Sequence, residues 1–264
     1  MTKILFWSDL HTEFAPFQPP SLSRLDQRPD ALVLAGDTAT GLTTIAHAEA
    51  FSRHFACPVV LVAGNHEFYN GNIETVSREM RARAAERNLG ADVRVLDGAG
   101  EVETTIGDLR IVGATLWTDY ALDGDPVRAK TAAAGLMNDH RCIATGTPAR
   151  PATPDDLEAL HRRDRDAIFA ALARPHVGPT LVVTHHAPSP GTMDPQYAGS
   201  PLNPAFLSDL DTALNAHAFD AWIYGHTHSG REFSVSHGGR LVTNPRGYPH
   251  ETTAFDPCRM LALG

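Results

Sequence analysis

Val59-Val60-Leu61-Val62-Ala63-Gly64-Asn65-His66-Glu67 is a run of five apolar residues that stops at a glycine and three polar side chains. A short run rich in β-branched residues and closed by a turn residue reads as a strand buried on both faces, the kind found in a helix-covered parallel sheet. The same punctuation recurs four more times. Ile4 to Trp7 leads to Asp9-Leu10-His11, and Ala31 to Ala35 leads to Gly36-Asp37. Leu181 to Val183 leads to His185-His186, and Trp222 to Tyr224 leads to Gly225-His226-Thr227-His228. Turn formation explains Asp, Asn or Gly after any one strand. It does not explain the set, because Gly-Asn-His and Gly-His-x-His are each expected by chance in only about one chain in fifty to a hundred. Strands lying side by side would bring seven metal-ligating side chains to one edge of the core. Seven is too many for one ion and about right for two. Imidazole and carboxylate together suit Mn, Fe or Zn better than Ca or Mg.

Between these strands the apolar spacing changes to that of helices. Thr43 to Phe55 carries Ile45, Ala48 and Phe55 on one face and is closed by Pro58. Ile73, Val76, Met80 and Ala84 mark a second helix, expected to run to about Leu89. Val93 to Leu96, Glu101 to Ile106 and Leu109 to Thr115 read as strands, the last two as a hairpin around Gly107-Asp108. From Trp117 to Pro151 the alternation breaks, with a helix expected up to about Leu136; this stretch is either an ordinary surface insertion or a cap over the site. Thr153-Pro154-Asp155-Asp156 then supplies an N-cap, a first-turn proline and an acidic third position. The helix it opens runs to about Ala173, with Leu157, Leu160, Ile168 and Leu172 towards the core. After a Pro-rich loop (187–204) come a helix from about Ser208 to Ala216 and strands at Glu232 to Val235, Leu241 to Asn244 and near Met260. No repeat or linker divides the chain, so one domain over 1–264 is expected.

The blocks resemble those of the calcineurin-like metallophosphoesterase superfamily: Asp-x-His, Gly-Asp-x-x-Asp, Gly-Asn-His-Asp/Glu, a lone His, and Gly-His-x-His. The resemblance runs from residue 9 to residue 228. It implies a four-layer α/β/β/α sandwich of two mixed β-sheets with two metals at the strand ends. It places Asp9, His11 and His228 on one ion, Asn65, His185 and His226 on the other, and Asp37 between them. Of the pair His185-His186 the first is assigned, since it directly follows the strand; neighbouring strand residues point opposite ways, so His186 is the alternative. The implied reaction is attack of a metal-bound hydroxide on phosphorus, with His66 protonating the leaving oxygen. One departure stands out. The second Asp of Gly-Asp-x-x-Asp is Thr40 here, so His66 lacks its usual carboxylate, a role left to Glu67 or to a phosphate oxygen.

A bridging site calls for a carboxylate, because it offers two anionic oxygens to two ions. Two divalent ions, two carboxylate ligands and one hydroxide leave about one net positive charge, suited to an anionic substrate. Asn65, His66, His186, Arg141 and Arg246 are candidate substrate contacts, with His140 weighed beside Arg141 and the Asn244-Pro245-Arg246 stretch open to a plain turn reading. Trp117 and Tyr120 are either core aromatics or stacking surfaces. His47, His54, His161, His176, His217, His237 and His250 read as solvated surface residues.

Composition narrows the substrate. The chain has 264 residues, 42% of them hydrophobic, and a net charge of −9. Its 22 Lys and Arg form no long run, and the cluster Arg78, Arg81, Arg83 and Arg87 is interleaved with Glu79 and Glu86. No basic field is present to hold a long polyanion, which argues against a nuclease and for a small phosphomonoester or phosphodiester. A non-catalytic scaffold would have lost ligands, and all seven positions are filled. Cys57, Cys142 and Cys258 have no metal-ligand spacing and read as free thiols of a reducing compartment. With no signal segment or membrane span in the sequence, a cytoplasmic location is expected.

Overall fold

Alternate residues of the buried strands go to different cores, and this sets the layering. Leu5, Trp7, Leu32, Leu34, Val59 and Leu61 join Ile45, Phe51, Phe55 and Met80 in one cluster. Ile4, Phe6, Val33, Val60 and Val62 face the other way and meet Ile111, Leu181, Val183 and Ile223. Val112, Val182 and Trp222 pack with Ile168, Leu172 and Leu214 in a third cluster. Three apolar interfaces separate four layers, the expected α/β/β/α sandwich.

The structure, a computed structural model, describes residues 1–87, 90–229 and 231–264. Its first half runs β1 (Thr2–Trp7), β2 (Ala31–Ala35), α1 (Thr43–Phe55), β3 (Val59–Val62), β4 (Gly71–Asn72), α2 (Ile73–Ala85), β5 (Val93–Leu96), β6 (Glu103–Ile106) and β7 (Leu109–Ala114). The 117–151 segment holds α3 (Pro126–Leu136), α4 (Asp139–Cys142), β8 (Ile143–Thr145) and β9 (Arg150–Pro151). Then follow α5 (Pro154–Leu172), β10 (Thr180–Thr184), α6 (Asp211–Ala216), β11 (Ala221–Ile223), β12 (Phe233–Ser234), β13 (Arg240–Val242) and β14 (Met260–Leu263). Helix α2 ends at Ala85, and Leu89, where its spacing placed the end, lies outside the described residues. Helix α6 begins at Asp211 rather than Ser208.

One large sheet has the order β14-β1-β2-β3-β5, the second β12-β13-β11-β10-β7-β6, and β4, β8 and β9 form a small third sheet. The inner strands are parallel, while β14, β12 and β6 pair antiparallel at the edges. Parallel strands place all their C-terminal ends on one side, which is where an open α/β sheet leaves room for ligands. The two sheets are tied there: Ser8 bridges Pro245, and the Arg246 and Gly247 amides donate to the carbonyls of Ser8 (3.1 Å) and Asp9 (3.0 Å).

Candidate metal centre

Each motif block begins where a strand stops. Asp9, Asp37, Asn65, His185 and His226 follow β1, β2, β3, β10 and β11 within three residues. To aim their side chains off the strand ends, Asp9, His11, Asp37, His226 and His228 all take left-handed backbone, with φ from 46° to 66°. Residues with a Cβ rarely sit there, and such strain concentrates at functional sites. The block glycines leave room for the same side chains. A Cβ on Gly36 (φ 85°) would lie 2.6 Å from His185 Cγ, and one on Gly225 would lie 2.8 Å from Asp9 Oδ2.

The structure brings the seven residues together as two adjoining groups. Asp9, His11 and His228 form one, and Asp37, His185 and His226 the other, with the ligand atoms of each within 4.8 Å of one another; His66 makes an equally close group with His11 and Asp37 where the two adjoin. Asn65 Oδ1 joins the second at 3.1 Å from His185 Nε2. Asp37 Oδ2 lies 3.8 Å from His11 Nε2 and 3.4 Å from His185 Nε2, between the groups. Asp37 Oδ1 instead accepts the His66 amide at 2.9 Å. Both groups therefore approach the same oxygen of Asp37.

The donors fit divalent ions. Asp9 Oδ2 and His226 Nε2 are buried with no protein partner, a costly state for polar atoms unless something else binds them. The outer ring nitrogens are anchored, His185 Nδ1 on the Ala35 carbonyl (2.9 Å) and His228 Nδ1 on Glu251 Oε2 (2.6 Å), which leaves each Nε2 facing the site. Charge states divide the donors. Burial disfavours charged His185 and His228, yet Asp37 beside the first and Asp9 beside the second raise them to about 9 and about 10, so each must shed a proton to bind an ion. Burial alone would raise Asp37, but His185, His66 and His11 around it hold its carboxyl well below the usual range. Burial keeps His226 neutral, as a ligand must be.

His66 stands beside these groups with both ring nitrogens engaged. Its Nδ1 donates to Glu13 Oε1 at 2.8 Å, and Nε2 meets the Tyr248 hydroxyl at 3.1 Å. Burial disfavours its charged form, yet Asp37 and Glu13 outweigh that and raise its pKa. Glu13 thus fills the place left by Thr40. Glu67 does not: it accepts from the Asp37, Thr38 and Gly64 amides and the Thr44 hydroxyl, fastening the turns after β2 and β3.

Residues 2–230 match the family model described as calcineurin-like phosphoesterase. The chain belongs to that family. With membership comes a reaction class, metal-dependent hydrolysis of phosphoesters at a dinuclear centre. Among solved structures, the chain is similar to a phosphopantetheinyl hydrolase from Mycobacterium tuberculosis (22% identity, TM-score 0.70, covering 94% of this chain and 90% of that one). It is also similar to a dimetal phosphatase from Danio rerio (16% identity, TM-score 0.53, covering 92% and 86%). Both likenesses are of fold. No curated protein matches it.

In this phosphoesterase several expected substrate contacts are otherwise engaged. Arg246 donates to the carbonyls of Leu10, Ala15 and Pro16, so it pins the loop after β1 instead of reaching a phosphate. Arg141 is exposed and donates to Gly135 O and Asn138 Oδ1, and His140 is bound to the Ala152 carbonyl. His186 is buried between Trp117 and His226 (ring centroids 5.2 and 4.2 Å), outside both ligand groups. Asn65 Nδ2 is held by Asp139 Oδ1 at 2.9 Å and by the Tyr69 hydroxyl, so its amide is not free for substrate. Trp117 and Tyr120 are core aromatics. His161 is fully buried, its Nδ1 on the Leu116 carbonyl at 2.8 Å, contrary to the surface reading.

The sequence reading also missed Glu13, Tyr69, Asp139, Tyr248 and Glu251, which hold His66, Asn65 or His228 from outside. Three of them are carboxylates, so the surroundings are more acidic than a count of ligands implied. A cavity of about 650 Å³ opens over Asp37, Asn65, His66, His226 and His228, and Leu136, Met137 and Asn138 of the 117–151 segment form part of its wall.

Proposed function

We propose that the chain hydrolyses a small phosphomonoester or phosphodiester at two transition-metal ions (Mn, Fe or Zn). Asp9, His11 and His228 would hold one, Asn65, His185 and His226 the other, and Asp37 would lie between them. The observation that carries this reading is the pair of ligand groups meeting at one carboxylate oxygen, with Asp9 Oδ2 and His226 Nε2 bare. Two ions there supply an ionised water near neutral pH and offset charge on the phosphate. The residues do the rest. Glu13 orients the His66 ring so that Nε2 faces the cavity, where it gives its proton to the leaving oxygen. Tyr248 shares that nitrogen and is displaced or joined by the leaving group. The 117–151 segment caps the site within one domain spanning 1–264.

The net charge of −9 supports a small substrate over a nucleic acid. The three free cysteines support a cytoplasmic setting, and no helix of the described residues is long and apolar enough to cross a membrane. A second reading, hydrolysis of a phosphopantetheinyl ester, follows the name of the Mycobacterium tuberculosis neighbour and is favoured by a cavity larger than a phosphate needs. Metal analysis and p-nitrophenyl phosphate hydrolysis with Mn, Fe or Zn added test the proposal. Near two ions per chain and metal-dependent turnover are expected; a chain that binds neither metal nor aryl phosphate is a scaffold.

A further inference from the structure

The cavity over the ligand groups has an unusual charge pattern for a phosphate site. The chain carries 22 Lys and Arg, yet among the described residues none of them lines this cavity. Carboxylates are there instead. Asp194 and Glu251 line it, and Asp139 and Glu13 stand directly behind Asn65 and His66. All four already have partners. Glu251 is bound by His228 and the Tyr248 amide, Asp139 by Asn65 and Tyr69, Glu13 by His66, and Asp194 by the backbone and side chain of Gln196. They contribute negative potential without offering an open seat to a cation.

The remaining wall mixes apolar side chains with neutral polar ones such as Gln196, Ser200, Asn203 and Thr252. Leu136, Met137, Met193 and Leu202 line it, and Phe206 stacks on His226 at 4.6 Å, so apolar surface reaches the ligands themselves. Leu136 and Tyr197 are also among the few large hydrophobic side chains left exposed, at 61% and 52%. A single phosphate can be neutralised by the two ions. A second or third phosphate would lie along a wall of carboxylates, neutral polar groups and apolar side chains with no guanidinium or ammonium to pair with, which Coulomb repulsion opposes. An uncharged alcohol would cover the exposed apolar surface and leave the carboxylates undisturbed.

We infer that the site selects esters of one phosphate with an uncharged, partly apolar alcohol and discriminates against nucleoside di- and triphosphates. This rests on the phosphoesterase reading above. The test compares kcat/KM of the metal-loaded full chain for hexyl phosphate, AMP, ADP and ATP, with p-nitrophenyl phosphate as the check that the centre is active. Hexyl phosphate should exceed ADP and ATP by tenfold or more, although ADP and AMP are the better leaving groups. Leu136→Arg, at an exposed position where folding tolerates charge, should raise the ATP to hexyl phosphate ratio about tenfold. An aryl-phosphate-active protein that turns over ATP as well as hexyl phosphate overturns the inference and leaves the phosphoesterase reading standing. An unchanged ratio in Leu136→Arg also overturns it. Loss of all turnover with both ions bound removes the phosphoesterase reading, and this inference with it.

Discussion

The start of α5 and the strand-end edge treat polar atoms in opposite ways. At the helix start the capping groups are matched to one another. The Thr153 hydroxyl accepts from the Asp156 amide, Asp156 accepts from the Thr153 amide at 2.8 Å, and Arg150 grips the same carboxylate with two nitrogens. Pro154 occupies a first-turn position whose N–H would have no partner anyway. At the strand ends, Asp9, His11, Asp37, His226 and His228 hold left-handed backbone, and the buried Asp9 Oδ2 and His226 Nε2 are among the polar atoms without a partner. Each such φ costs roughly 1–3 kcal/mol. Local rules are obeyed where the chain needs only a stable helix and broken where it needs donors aimed at an ion.

The largest effect should come from the oxygen that both ligand groups approach. Asp37→Ala is expected to empty both metal positions and lower kcat/KM by at least about a thousandfold, or about 4 kcal/mol. Asn65→Ala should empty mainly one. Metal content per chain, measured on both variants, decides: equal losses of a single ion each would mean Asp37 serves one ion only.

The contrast also has an exception to probe. Further along α5, Asp164 Oδ2 accepts from the amide of Leu116, another residue in left-handed backbone (φ 73°). Burial pushes the Asp164 carboxyl up to about 6 from 3.8, against the pull of Arg163. The folded chain therefore binds this proton more tightly than the unfolded one. That contribution to stability is whole below about pH 4 and is lost as pH rises through 6, roughly 3 kcal/mol in all. Asp164→Asn keeps an acceptor for the Leu116 amide and removes the titration. Relative to the parent, its unfolding free energy in urea should gain on the order of 3 kcal/mol between pH 4 and pH 7. A constant difference across that range would show that the carboxyl is ionised throughout, and that α5 is as relaxed along its length as at its start.

These two regions differ as much in legibility as in strain. Strands and helices were readable because period two and period 3.6 survive in the apolar residues, and the ligands because each block follows an apolar run. The residues that orient the ligands carry no local signal. Asp139 meets Asn65 from 74 positions away and Tyr248 meets His66 from 182, contacts made by sheet topology alone. Arg246 misled because an arginine after a strand suits a phosphate, whereas three carbonyls of another loop claim it. His161 had a signal that was overlooked: Leu157, His161, Asp164 and Ile168 share one helical stripe, and all four are buried.

A smaller effect tests the long-range contact at His66. Glu13→Gln removes the charge beside Nδ1 while keeping an acceptor, so the ring stays oriented but its protonated form is less favoured. A general acid matters most when the leaving group is poor. Turnover of an alkyl phosphate should fall about tenfold or more, and that of p-nitrophenyl phosphate much less. Equal slowing of both substrates, with metal content intact, would assign Glu13 to His11, which it approaches at 3.3 Å, and take it away from proton transfer.

The smallest effect belongs to the relaxed side. Thr153→Ala deletes the hydroxyl that accepts the Asp156 amide at 3.3 Å, leaving one first-turn N–H to water. Losing a threonine N-cap typically costs about 1 kcal/mol. Here the loss should fall at or below that figure, because the Thr153 position is exposed and Asp156 still bonds the Thr153 amide and Arg150. Helix α5 packs its far side on the third apolar cluster through Ile168 and Leu172, well along from the cap. The variant should therefore keep the parent's metal content and its kcat/KM on aryl phosphate while its urea midpoint drops slightly. A matching drop in turnover would mean that strain at the strand ends is held in place from the α5 start, and that the two regions are mechanically one.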